Sequence, residues 1–169
     1  MHFYDYVHLV KLLRNDLLSS TRKLHFTKEE YSHVGHNGCD FTMCDLEPYK
    51  KLYNLTDADL DPKDTMEWEP VKKMMMLSDE FQKSEDIKVR CIGIFLGKIK
   101  EINNVFNNNA MNIEIKLEKL TNIQKFMRNW QQNVMRLYGN SQSDYGSHYV
   151  TEQQFKFLST NLFSQKLCR

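Results

Sequence analysis

The densest group of reactive side chains is His33-x-x-His36-x-x-Cys39-x4-Cys44, four zinc-compatible ligands in one glycine-bearing stretch. Imidazole nitrogen and thiolate sulfur suit tetrahedral zinc, although structural zinc sites usually take their ligands as two separated pairs rather than one run. The same cysteines support a second chemistry. With Cys91 and Cys168 they form an even set of four, enough for two disulfides in any of three pairings. Cys39, Cys44, Cys91 and Cys168 are therefore the disulfide candidates, either as a small Cys39–Cys44 loop or as a tie from that loop to Cys91 or Cys168. His33, His36, Cys39 and Cys44 remain the alternative zinc set, and in the disulfide reading the two histidines are simply exposed.

Other clusters carry less chemistry. Asp57, Asp59, Asp61 and Asp64 lack the glycine and the terminal bidentate glutamate of a calcium loop, so they read as a solvated acidic turn. Met74-Met75-Met76 is adaptable packing material suited to a core or an interface. The chain has no nucleophile elbow, phosphate-cradling loop, metalloprotease helix or paired-cysteine redox motif, and six glycines leave little material for one. The expectation is a non-enzyme without a cofactor. Asn54-Leu55-Thr56 is a glycosylation sequon, in keeping with secretion.

The elements that must position these residues are helical. Phe3, Tyr6, Val10, Leu13, Leu17 and Leu24 fall on one side of a predicted helix A at 3–24, with His8, Lys11, Asn15 and Arg22 on its wet side. Residues 25–78 hold all three prolines and form a long connection, in which Thr27 with Glu30 has capping-box spacing and Pro70 to Met76 can begin a helical turn. Ile87, Cys91, Phe95, Ile99, Ile102 and Phe106 predict a buried helix B at 81–106. After the polar break at Asn107-Asn108-Asn109, Ile113, Leu117, Leu120, Met127, Trp130, Val134 and Leu137 predict helix C at 112–138. A capping box at Thr151–Gln154, stapled by Val150 and Phe155, starts helix D at 152–167.

The 169 residues form one predicted domain, 1–169: an all-α four-helix bundle with a long first crossover loop, in up-up-down-down order. The second crossover, 139–149, must span the bundle with a reach of about 36 Å. A globule of six or seven shorter helices is the alternative. An apolar fraction of 41% suffices for a sizeable core. Lys plus Arg number 23 against 22 acids, a balance that gives no attraction to nucleic acid or an anionic membrane. No apolar run is long enough for membrane insertion, and Met1-His2-Phe3-Tyr4-Asp5-Tyr6 is not a signal peptide, which fits a cytosolic chain or a processed domain with an added methionine.

The opening Val7–Leu18 segment, the close pair Cys39 and Cys44, and Val89-Arg90-Cys91-Ile92-Gly93-Ile94-Phe95-Leu96 at the entry to helix B follow a familiar order. In that order the chain resembles helical cytokines of the interleukin-6 and interleukin-12 alpha-subunit type. The resemblance implies a secreted ligand that docks helix faces onto protein receptor chains without catalysis, with an aromatic residue near the start of the last helix. Phe157 fits that role, although the phenylalanine-x-x-lysine motif of some members is absent and the cysteine spacing departs from the family. On the wheel of helix D, Phe157 lies with Gln153 and Thr160 opposite Phe155, Leu158 and Leu162. The candidate partner-binding residues are thus Phe157, Gln153, Lys156 and Thr160, with His8, Lys11 and Asn15 on helix A. The alternatives are a cytoplasmic helical interaction protein, similar to viral Bcl-2-like folds that bind partners in a groove, and a small zinc-binding regulatory module.

Overall fold

The structure, a computed structural model, describes residues 10, 17–18, 23–61 and 68–138. Val10 and Leu17, from the stripe expected of helix A, are helical and buried, as is Leu18, but Leu24, the expected last residue of that helix, lies in a strand. Helix D and the second crossover lie outside the described residues.

The chain is mostly helical, but the all-α expectation needs a correction. Leu24–Phe26 (β1) and Cys39–Phe41 (β2) pair antiparallel, with Leu24 opposite Phe41, His25 opposite Asp40 and Phe26 opposite Cys39. The connecting loop closes on local bonds. The Thr27 amide donates to Glu30 Oε2 at 2.7 Å and the Tyr31 amide to the Thr27 carbonyl at 3.0 Å, so the Thr27/Glu30 spacing produces a single helical turn. Gly38 then takes a φ of 71°, where a side chain would be strained and would also overlap the His25 imidazole.

Residues 25–78 are therefore not a mere connection. After β2 comes a 3-10 helix, Met43–Tyr49, whose start is held by the Thr42 amide donating to Asp45 Oδ2 at 2.8 Å. The same Thr-x-x-Asp device opens the short helix α1, Asp57–Leu60, where Asp59 Oδ2 accepts from the Thr56 amide at 2.7 Å. Helix α2, Glu69–Phe81, follows with Pro70 in its first turn, where the missing amide costs no helical bond.

Helix B also starts later than the apolar periodicity suggests. Phe81 closes α2, and α3 runs Ile87–Asn107. The break is local chemistry: Asp86 caps α3 by accepting from the Lys88 amide at 2.8 Å, and Ser84 Oγ accepts from the Asp86 amide. Such a short joint folds α3 back along α2, and these two helices form the most extensive helix–helix contact among the described residues. Gly93 permits this approach, since a Cβ there would lie 2.7 Å from the Gln82 backbone nitrogen and 2.9 Å from Phe81 Cβ. Helix α4, Ile113–Tyr138, matches the expected helix C to within a residue.

The core sits where the hairpin, α3 and α4 meet. Phe26, Phe41, Phe95 and Trp130 are essentially inaccessible, with ring centroids 4.8 Å apart for Phe26–Phe41, 5.4 Å for Phe26–Trp130 and 5.8 Å for Phe95–Trp130. Tilted and edge-on contacts of this kind add to the apolar burial of the rings. The indole N–H of Trp130 donates to the His25 carbonyl at 2.6 Å, so the largest core side chain also clamps β1 onto α4.

Candidate functional site

Two places combine accessible surface with side chains able to do something. The first is a pair of thiols at the seam of β2 and α3. Cys39 sits half-buried on β2, where its S–H donates to the Asp40 carbonyl at 3.6 Å, and Cys91 is fully buried on the second turn of α3. The two thiols therefore differ in acidity. The neighbouring Cys91 thiol holds the Cys39 thiol below its ordinary value of 9.0, against a burial cost, with help from the Lys88 ammonium. Cys91 is pushed far up by the neighbouring Cys39 thiol and by its burial. Lys88 is itself held by Asp45 at 2.8 Å, which anchors the cation on the side of the 3-10 helix.

The hairpin beneath this pair is rigidly tied. The nearly inaccessible His25 ring contacts Asp40 Oδ1 through Nδ1 at 2.6 Å, and Lys23 reaches the other Asp40 oxygen at 3.9 Å. With the Trp130 bond to the His25 carbonyl, the cross-strand pair next to Cys39 is fixed from both faces.

The second place is an open cleft of about 860 Å³ between α2 and α3, with Met75, Ile94 and Gly97 among its lining residues. Met76 lines it with 67% of its surface exposed, the second most exposed large apolar residue described. The rim is ionic. Lys100 pairs with Asp79 at 2.6 Å across the two helices, Lys119 of α4 reaches Glu101 at 3.6 Å, and Lys72 lies near Glu69 at 3.9 Å. Met75, Met76 and Ile94 are the apolar side chains of the lining, and apart from Gly97 the other residues around them are polar or charged.

The expected zinc set is not brought together. Cys39 bonds to the Asp40 carbonyl, Cys44 is exposed on the 3-10 helix, His33 tilts against Tyr31 at 5.1 Å and His36 is exposed. Among the described residues no three His, Cys, Asp or Glu side chains are grouped to hold a metal. Cys39, Cys44 and Cys91 are free thiols, and Cys168 lies outside the described residues. The acidic run is only partly a solvated turn. Asp59 is buried and accepts from Lys73 Nζ at 2.6 Å, while Asp57 is exposed and pairs with Lys50. Burial drives the Asp59 carboxyl up, but the bonds from Lys73 and Thr56 outweigh it and leave it below 3.8. Of the methionine run, Met74 and Met75 are core and Met76 is surface. The partner-binding candidates Phe157, Gln153, Lys156, Thr160, His8, Lys11 and Asn15 all lie outside the described residues.

No family model, no curated protein and no solved structure matches the chain. Its function must be argued from its own surfaces. The cleft had a visible precursor, since three consecutive methionines on an amphipathic helix cannot all face inward. Among the described residues no helix is long and apolar enough to cross a membrane.

Proposed function

We propose that this chain acts without catalysis, as a secreted helical ligand that docks a protein receptor chain, and that the α2–α3 cleft is part of the docking surface. The observation that carries the reading is Met76, exposed beside Met75 and Ile94 in a cleft otherwise lined by polar and charged residues. Methionine adapts its shape to a partner at low cost, and its desolvation on docking would supply the apolar centre of an interface. The sequence resemblance supplies the class of partner and the crossover-bundle order of the helices. It also adds Phe157 as a second anchor on helix D.

Saturable binding of labelled full chain to receptor-bearing cells tests the reading. Met76→Glu and Lys72→Glu together should weaken binding by roughly tenfold or more. Saturable binding with the same Kd for the variant removes the cleft from the interface, and absence of saturable surface binding on all cells tested removes the secreted reading. The cleft also favours a second reading, an intracellular protein that takes an amphipathic partner helix in the groove. A synthetic amphipathic helix that protects Met76 from oxidation, in a chain that binds no cell surface, would decide for it.

A further inference from the structure

We infer that Asn54 is a covalent modification site and carries the single N-linked glycan of this chain. Asn54-Leu55-Thr56 is the only Asn-x-Ser/Thr sequence in the 169 residues. The inference rests on the secreted part of the reading above and not on the docking cleft. Its support is the turn in which the sequence lies.

Asn54 follows the 3-10 helix and precedes α1, in a turn closed by the Leu55 amide donating to the Lys50 carbonyl at 2.8 Å. Its φ of 53° makes it the one non-glycine residue described in the left-handed region, which asparagine tolerates better than most side chains because it can bond to nearby backbone. Asn54 makes no such bond. Its side chain is exposed, and its amide forms no hydrogen bond among the described residues. The nitrogen that would carry the sugar is therefore unengaged, and a glycan there displaces no internal contact. Lys51 and Leu52 beside it are exposed too, Leu52 by 72%, so a bulky hydrated group has room. Leu55 is buried and anchors the turn from the other side of the peptide.

Thr56 is engaged in the folded chain, where its hydroxyl donates to Asp59 Oδ2 at 2.8 Å and caps α1. That hydroxyl completes the acceptor sequence only before the cap forms, so transfer precedes closure of the turn. The Asn54 amide nitrogen attacks the anomeric carbon of an oligosaccharide held on a lipid pyrophosphate. A carbon–nitrogen bond forms, the carbon–oxygen bond to the pyrophosphate breaks, the lipid pyrophosphate leaves, and one amide proton passes to a base of the transferase.

The test secretes the full chain from animal cells behind a supplied leader and releases N-glycans with a glycan-specific amidase in heavy-oxygen water. Wild type should lose the mass of one glycan, and the peptide holding position 54 should carry a heavy-oxygen-labelled aspartate. Asn54→Gly keeps the left-handed turn and Thr56→Asn keeps a good helix cap, yet each removes the acceptor sequence. Both variants should lose the glycan completely and unfold at the midpoint of enzymatically deglycosylated wild type. A secreted wild type with unmodified Asn54, or a glycan that survives in both variants, overturns the proposal and leaves the docking cleft untouched. A glycan on Asn54 in a chain that binds no cell surface supports the site while sinking the ligand reading.

Discussion

The two sides of α3 follow opposite rules. On the hairpin side Cys91, Phe95 and Ile99 are wholly buried, the Phe95 ring packs on Trp130, and the Trp130 indole N–H donates to the His25 carbonyl. On the cleft side Ile94, Gly97, Lys98 and Glu101 are only partly covered, and the charges are satisfied by surface ion pairs. Exposed pairs of this kind contribute about 0–1 kcal/mol each, so the cleft side can change its residues without threatening the fold. Stability thus rests on one face of α3, and the docking proposed above uses the other.

Four substitutions sharpen or break this contrast. Trp130→Ala, on the hairpin side, should cost about 3–5 kcal/mol in denaturant unfolding, through a large cavity and an orphaned His25 carbonyl. A cost near zero would mean that the hairpin does not rest on α4. Gly93→Ala, at the α2–α3 seam, should cost about 1–3 kcal/mol, because the backbone at Gln82 cannot yield as a side-chain tip could. Asp59→Asn should cost about 1–2 kcal/mol at neutral pH by weakening the Thr56 cap and the Lys73 pair. Its pH signature is specific. The folded-state pKa of Asp59 lies below its ordinary 3.8, so its contribution is present above about pH 4 and is lost as pH falls through the lower, folded value. Urea melts between pH 5 and pH 2 should therefore show a shallower acid loss in the variant, and parallel slopes would contradict the ion pair. Met76→Glu, on the cleft side, should change stability by about 0.5 kcal/mol or less.

The long helices were legible because their apolar residues repeat over many turns: Ile113 to Trp130 gives α4 almost to the residue, and Cys91, Phe95, Ile99 and Ile102 mark the buried stripe of α3. The hairpin was not. Leu24-His25-Phe26 and Cys39-Asp40-Phe41 alternate as strands should, but three residues cannot outweigh the helical periodicity around them, and their pairing depends on the distant Trp130. The Thr42/Asp45 and Thr56/Asp59 spacings were signals for the short helical turns, carrying aspartate where a capping box more often has glutamate. The boundary at Asp86 was obscured by Phe81, whose phase suits either helix. For the candidate site, the cysteines were visible as reactive residues, but their partners were a tertiary fact. The charge on Asp59 was visible and its burial was not, because only the fold brings Lys73 to it.

The most direct test of the division between the faces measures thermal unfolding and cell-surface binding side by side for Met76→Glu and Phe95→Ala. The account predicts that Met76→Glu leaves the unfolding midpoint within about a degree or two of wild type while weakening binding by roughly tenfold. Phe95→Ala should lower the midpoint steeply, by about 3–5 kcal/mol of stability, with binding per folded molecule unchanged. A Met76→Glu chain that binds as wild type does, or that loses binding only in proportion to its loss of folded protein, would contradict it.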